Sequence, residues 1–406
     1  MKPASPNPSA ADASNLQPLS GIRIIEIGSY ITGPYASVLL ADLGAEVIKV
    51  ERPGSGDPYR AFKSGTYSPH FRAINRNKKS VTLDITKPAG AAVLRRLVAK
   101  ADLLLENSRP GFLDGAKLGY DELKTLNPRL VYLSVTGFGN SGPYRNRPSY
   151  DTVAQSLSGL LGLSIDASDP RITGVALSDG VSGLYGCYAA LAGLAMRDRT
   201  GQGLRVETSM LAASMSFVEF WLVDHMLGGE PPRSERKSEI SQAYAMRCAD
   251  GKLVAIHMSS PEKFWTGLIA AIEAPELARE PRFATRAARI QNYQALRAEL
   301  GAIFSRRPRD EWLGRLDRND VPFAPVYGVE EVPKDPQVQA MGLFHELPHP
   351  TAGTTPALKR PVLFNGRSHH EFATAPPVLG QHTHEVLAEF GYSADDIAAL
   401  ARDHLI

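Results

Sequence analysis

The sequence predicts an α/β protein, with a large domain on a mostly parallel sheet and a smaller α+β domain after it. Three observations predict it. Short runs rich in Ile, Val and Leu alternate with helical patterns over the first half of the chain, the pattern of parallel strands joined by crossover helices. The 406 residues exceed the usual size of a single domain, so two compact units are expected. The chain then changes character after a polar, proline-bearing stretch at Gly228–Glu239, which reads as a linker.

The elements follow in order. From Gly21 to Glu51 the chain reads as strand (IRIIEI), glycine-bearing turn (GSYITGP), helix (YASVLLADLGA) and strand (EVIKVE), a βαβ unit. A second round has SVTLDI as strand, an amphipathic helix over Ala89–Lys100, DLLLEN as strand, a helix near Tyr120–Leu126 and VYLSVT as strand. A long helix is expected over Asp179–Arg197, opened by Ser178-Asp179-Gly180, and one more strand over Leu204–Thr208. Past the linker, YAMRCADGKLVAIHM reads as a hairpin turning at Asp250-Gly251. Helices are expected at Pro261–Ala271, Tyr293–Phe304 and Asp310–Leu316. From Val332 to Pro377 the chain is rich in proline with little periodicity, and two helices from about His382 and Ser393 close it. The expected organisation is therefore a disordered tail at 1–19, a large domain over 20–227, a linker and small domain over 228–331, and a segment over 332–406 that crosses back to the large domain.

Composition narrows the function classes. The chain is 43% hydrophobic and 22% charged with a formal net charge of +2, which gives no general attraction to nucleic acid. Cys187 and Cys248 are the only cysteines, too few for a disulfide framework and without the spacing of a zinc site. They suit a reducing cytoplasm. The first 19 residues carry one Lys and no apolar run, which argues against a signal peptide or anchor. No later run is long and apolar enough to span a bilayer.

Several motifs carry possible chemistry. GFGNSG at Gly137–Gly142 matches a dinucleotide fingerprint, but PYRNRPS follows it and cannot open the helix that a pyrophosphate site needs. Glu51 ends the second strand where a dinucleotide fold keeps its ribose-binding acid, yet the preceding turn offers only Gly28 and Gly33. Arg52 reads equally as a solvated charge or as a cation over an adenine ring or phosphate. The basic NRNKKS, with Arg76, Lys78 and Lys79, reads by pattern as a solvated loop. Asp179 in LSDGVSG reads by pattern as a first-turn helix acid, although Gly180 and Gly183 would let a bulky substrate approach it. His382 and His384 in GQHTHE read as an exposed helix start, and Cys187 as a packing residue.

Taken together, PLSGIRIIEIGSYITGPYASVLLADLGAEVIKVERPGSGDPYR, NRNKKSVTLD, ADLLLENSRPG, SVTGFGNSGPY, YDTVAQSLSGL, GVALSDGVSGLYG and PPVLGQHT make the chain resemble the class III CoA-transferases from about Leu19 to the C-terminus. That family includes formyl-CoA transferase, carnitine CoA-transferase and succinyl-CoA-dependent dicarboxylate enzymes. The resemblance implies a Rossmann-like large domain and an interlocked homodimer in which each chain forms a ring threaded by the other. It implies a CoA thioester as substrate, a carboxylic acid as the second substrate, and no tightly bound cofactor or metal. Asp179 corresponds to the family's catalytic aspartate. Its carboxylate is expected to form an aspartyl-CoA thioester by way of mixed anhydrides, with the helix N-terminus stabilising the tetrahedral oxyanions. Ile31, Thr32, Arg52, Lys78, Asn107, Gly137 and Phe138 are placed near CoA.

Two departures from the family pattern bear on the site. After ENSRPG the family often has an arginine that contacts CoA phosphates, whereas this chain reads FLDGAKLGY, leaving Arg109 or Lys117 to supply that charge. In formyl-CoA transferase a glycine run covers the intermediate; the comparable stretch here is HMSSPEKFW, with Ser259 and Ser260. The related α-methylacyl-CoA racemases need a second acid/base, a histidine before the Asp of a YDTVAQ-like segment; Tyr150 stands there, which favours transfer over racemisation. Similarity is greatest to dicarboxylate-handling members, so succinyl-CoA is the expected donor and a dicarboxylate the acceptor. Its far carboxylate would need a cation, for which Arg247 and His257 on the hairpin are the candidates.

Overall fold

The structure is a computed structural model describing residues 17–63, 65, 67–230, 234–259, 262–366 and 373–406. Most of the expected tail, residues 1–16, and Ser260 lie outside the described residues. The end of that tail is not free: Leu19 is buried and its amide donates to the carbonyl of Leu43.

The chain forms two compact units. The first gathers residues up to Leu161, Thr173–Leu222 and Leu343–Ile406; the second gathers Gly162–Ile172 and Val223–Gly342. The first is built on six parallel strands, β1 (Arg23–Ile27), β2 (Glu46–Glu51), β3 (Lys78–Thr82), β4 (Leu103–Glu106), β5 (Val131–Thr136) and β6 (Leu204–Ser209), in the order β3-β2-β1-β4-β5-β6. β-Branched and leucine side chains fill both faces, and β4 and β5 are buried throughout, as expected of a parallel sheet covered by helices. The helix Pro88–Val98 and the terminal helices Thr383–Glu389 and Ala394–Arg402 contribute to the core on one face; the helices Thr32–Ala41 and Leu177–Thr200 contribute on the other.

The 24-residue helix Leu177–Thr200 lies close to its neighbours because it is rich in small residues. A Cβ on Gly183 would stand 2.7 Å from Tyr35 Cδ1, and one on Gly193 2.8 Å from Val131 Cγ1. The helix ends at Gly201, whose φ of +75° places it in the left-handed region and whose amide reaches the Arg197 carbonyl.

Buried charge is the main departure from an ordinary core. NRNKKS is not a solvated loop: Lys78 and Lys79 open β3, and Lys78 is buried. Glu26 of β1 accepts from Lys49 (2.7 Å) and from Ser37 (2.6 Å), and pairs with Lys78 at 2.9 Å. Lys49 also pairs with Asp57 at 2.9 Å and donates to the Gly28 carbonyl. Burial alone would raise the Glu26 carboxyl, but the two ammoniums outweigh it and hold it at about 2. Burial brings Lys78 down to about 8 despite Glu26.

The segment Val332–Pro377 also departs from its expected irregularity. It contains a helix at Pro336–Met341 and a hairpin of Phe344–His349 with Gly353–Leu358. The paired strands place Pro348 opposite Thr354 and Pro356 opposite Glu346, and those prolines hid the strand pattern. Beyond it, the Arg60 guanidinium reaches the Pro377 carbonyl, and Gly380 donates to Ser80 Oγ, which holds the C-terminal segment against β3.

The second unit carries an antiparallel sheet of β7 (Ala243–Arg247), β8 (Leu253–His257) and β9 (Phe323–Val326), in that order. The helices Glu262–Ile272, Tyr293–Phe304 and Arg309–Arg318 pack their apolar faces into its core.

Replacing Lys49 by Met would leave Glu26 and Asp57 buried without their shared cation. A loss of about 3–5 kcal/mol is expected, read as a lower denaturant midpoint. Lys79→Met, which removes only part-exposed pairs with Glu46, Glu385 and Glu389, should cost about 1 kcal/mol.

Candidate active site

In a parallel sheet of this order, the chain leaves β1 and β4 in opposite directions, opening a crevice at their carboxyl ends. Asn107, just past β4, ties the two sides together. Its Oδ1 accepts from the Ser29 amide (2.9 Å), while its Nδ2 donates to the Ser29 carbonyl (2.9 Å) and to Thr32 Oγ1 (2.8 Å). Between these anchors Tyr30 takes a left-handed φ of 60°, and its amide donates to Asp57 Oδ1 at 3.0 Å. Such a conformation is costly for a tyrosine and is sustained by its surroundings.

Asp179 lies in the first turn of the helix Leu177–Thr200, half-buried. Among the described residues its carboxylate accepts no hydrogen bond and forms no ion pair, and the space beside Gly180 is open. Asp151, from the start of the helix Asp151–Leu157, occupies the helix end instead: its Oδ1 accepts from the amides of Ser178 (2.8 Å) and Asp179 (3.3 Å). Gln155 holds its other oxygen at 2.7 Å. Burial first, and then the Asp151 charge, push the Asp179 carboxyl up to about 7. The expectation that the helix N-terminus supplies oxyanion donors is corrected by this arrangement. The amides of Leu177, Ser178, Asp179 and Gly180 are all taken, by Val175, Asp151 twice and Ala176.

Aromatic side chains stand near this carboxyl. The Tyr59 phenol is held above its ordinary value by burial and then by Asp179. Tyr30 packs edge-on against Tyr59 and Tyr150, with ring centroids 6.1 and 6.0 Å apart.

Comparison with known proteins places this geometry. The pattern of CoA-transferase family III matches residues 19–383. This chain belongs to that family. The transferase is 33% identical over 385 residues to human succinyl-CoA:glutarate CoA-transferase, covering 93% of this chain and 87% of that protein. It is 32% identical to succinate–glutarate CoA-transferase of Agrobacterium fabrum, covering 92% and 95% of the two chains. Among solved structures, a CAIB/BAIF family protein from Brucella suis aligns with a TM-score of 0.81 at 32% identity, covering 92% of this chain and 99% of that one.

The sequence-predicted CoA residues of the transferase fall into three groups. Ile31, Thr32, Asn107, Gly137 and Phe138 follow β1, β4 or β5 at the carboxyl edge of the sheet. A Cβ on Gly137 would stand 2.4 Å from Ser149 Cβ, so glycine is required there. Arg52 and Arg109 are exposed. Lys78 differs: its ammonium has no exposed surface and is spent on Glu26, the Pro34 carbonyl and Asn75, so a phosphate contact would require it to abandon all three. Glu51, the apparent ribose acid, is engaged by Arg60, Ser80 and the Asp57 amide.

Arg247 and His257 lie on the second unit. Both are exposed, so His257 is not a core imidazole. Arg247 pairs with Leu253, and His257 stands four residues further along β8, about 13 Å away at strand rise. Sequence reasoning missed Asp151 and Tyr59 as neighbours of Asp179. No spacing rule links positions 28 or more residues apart; only the fold brings them together.

A carboxyl raised from 3.8 to about 7 costs stability once ionised, and the cost grows between those two pH values. Asp179→Asn should therefore melt like the wild type near pH 4 and higher from pH 7 upward. The gain should be roughly 1–3 kcal/mol after discounting for partial exposure, read from melting curves across pH.

Proposed function

We propose that this transferase moves CoA from succinyl-CoA to a dicarboxylic acid through a covalent intermediate on Asp179. The observation that carries this reading is the Asp179 carboxyl itself: half-buried, unpaired, raised to about 7 and bordered by open space at Gly180. A carboxylate of that basicity is a better nucleophile than an ordinary aspartate and is present as about half of the population at neutral pH. It attacks the thioester carbonyl carbon, the C–S bond breaks, and a mixed anhydride and CoA thiolate form. The thiolate attacks the aspartyl carbonyl and releases the donor acid. The acceptor carboxylate then attacks the aspartyl-CoA thioester, whose C–S bond breaks to give a second mixed anhydride and CoA thiolate; the thiolate attacks the acceptor carbonyl of that anhydride, forming the new acyl-CoA and freeing the Asp179 carboxylate. With the helix amides occupied, the phenol of Tyr59, which feels the Asp179 charge, is the candidate donor for the oxyanions.

The succinyl-CoA and dicarboxylate assignment rests on relatives whose names specify succinyl-CoA with glutarate, and with D-citramalate in Chloroflexus aurantiacus. An interlocked homodimer is supported by an apolar stripe on the helix Leu177–Thr200, where Leu184, Tyr188 and Leu191 are 52, 68 and 36% exposed at helical spacing. Racemisation is disfavoured by Tyr150, which is too weak a base for the second proton transfer.

Asp179→Ala should abolish transfer while the protein stays folded, and wild type treated with acyl-CoA and hydroxylamine should yield a modified peptide containing Asp179 by mass spectrometry. Near-normal turnover of the variant ends the covalent mechanism. For the acid pocket, Arg247→Ala should lose succinate turnover by about tenfold or more while sparing a monocarboxylate of similar length; equal loss, or none, removes Arg247 from that pocket.

A further inference from the structure

A cavity of about 600 Å³ lies at the amino ends of β2 and β3, the sheet edge opposite the crevice beside Asn107. It belongs wholly to the first unit, and Asp179 does not line it. Its charges are engaged, with one exception. Asp42, just past the helix Thr32–Ala41, accepts from the Arg76 fork and from Asn77 Nδ2 at 2.8 Å. Glu46 pairs with Arg23 at 2.6 Å and with Lys79 at 2.9 Å. Lys78 pairs with Glu26, and the buried Arg360 donates to the Asp42 carbonyl at 2.5 Å. Lys359, half-buried where the chain leaves the hairpin Phe344–Leu358, has no ion pair and no side-chain hydrogen bond among the described residues. Two imidazoles of the lining add donors without charge. His349 Nδ1 accepts from the amides of Thr351 and Ala352 at 3.1 and 3.0 Å, and His382 Nδ1 from the Ser80 amide at 3.1 Å. Each ring therefore carries its proton on Nε2.

We infer that this cavity is a second ligand site, taking a small aliphatic monocarboxylate with its carboxylate on the Lys359 ammonium. The site is separate from the thioester crevice and does not depend on the transferase reading. One uncommitted ammonium neutralises one carboxylate. A dianion such as inorganic phosphate would bring a second charge that the lining leaves unpaired. The Arg76 fork, which could otherwise grip a phosphate, is already closed on Asp42. Ala45, Val47 and Leu358 supply aliphatic surface for a short chain. Histidines are the only aromatic side chains in the lining, so a nucleotide base would find no broad face to stack on. The volume lies inside the range of about 300–1,000 Å³ usual for small-molecule sites.

The test acetylates the lysines of the full wild-type chain with a water-soluble acetyl ester and reads each site by mass spectrometry, at fixed ionic strength. Increasing hexanoate should slow acetylation of Lys359 until, at about four times its Kd, the rate has fallen about fivefold. Lys334, an exposed lysine of the second unit, should change by less than about twofold in the same samples. Acetate lacks the chain, 1-hexanol lacks the charge and inorganic phosphate carries too much of it. At the same concentration each should slow Lys359 by less than about twofold. No slowing by hexanoate, or equal slowing at Lys334, overturns the inference. So does slowing by acetate, 1-hexanol or phosphate that matches hexanoate. The transferase reading stands or falls on Asp179 and is untouched by any of these results.

Discussion

Lys49 has no exposed surface, and its ammonium lies between the carboxylates of Glu26 and Asp57. Those two contacts fix the geometry of the site. Through Glu26 the charge is shared with Lys78 and, by way of the Pro34 carbonyl, with the start of the helix Thr32–Ala41. Through Asp57 it reaches the amides of Tyr30 and Tyr59, and the Tyr59 phenol feels the candidate nucleophile's charge. A buried pair of this kind is weak evidence for stability in itself, since desolvation offsets most of its attraction. Here its geometric consequence matters more: the strand-to-helix turn at 28–33 cannot relax without exposing or orphaning a buried charge.

The two carboxylates at the head of the helix Leu177–Thr200 divide their roles by environment. Asp151 is saturated with backbone and side-chain donors and serves as the helix cap. Asp179 receives none, shares the neighbourhood of that charge, and is pushed toward neutrality. Placing the cap on a separate segment frees the first-turn acid from capping and makes it more basic, a combination that a self-capping aspartate could not provide. The same arrangement consumes the helix amides, so electrostatic help for an oxyanion must come from side chains or from the substrate's own environment.

The charges on the first unit are distributed with similar economy. Lys78 and Glu51, which look like ligand contacts in a linear reading, are absorbed by Glu26 and Arg60. Arg109 and Arg145, whose side chains have no ion pair or hydrogen bond among the described residues, line a polar cavity past β4 and β5. A residue's charge says little about its task until its partners are counted.

Much of this was legible from residue order alone. Apolar runs and their spacing located all six parallel strands, five within about one residue and β3 two to three residues earlier than expected; the runs are most continuous in β4 and β5, which are buried on both faces. The DG turn and flanking alternation likewise located β7 and β8, and the long motifs gave the family. Tertiary structure decided the rest, since each remaining question concerned which distant groups meet. It buried Lys78, paired the proline-bearing strands of Phe344–Leu358, separated Arg247 from His257, and set Asp151 on the helix amides and beside Asp179. Periodicity records which face of an element is apolar; it carries no information on the partner of a charged side chain 20 or 200 residues away, and in this protein those partners determine which charges remain free for chemistry.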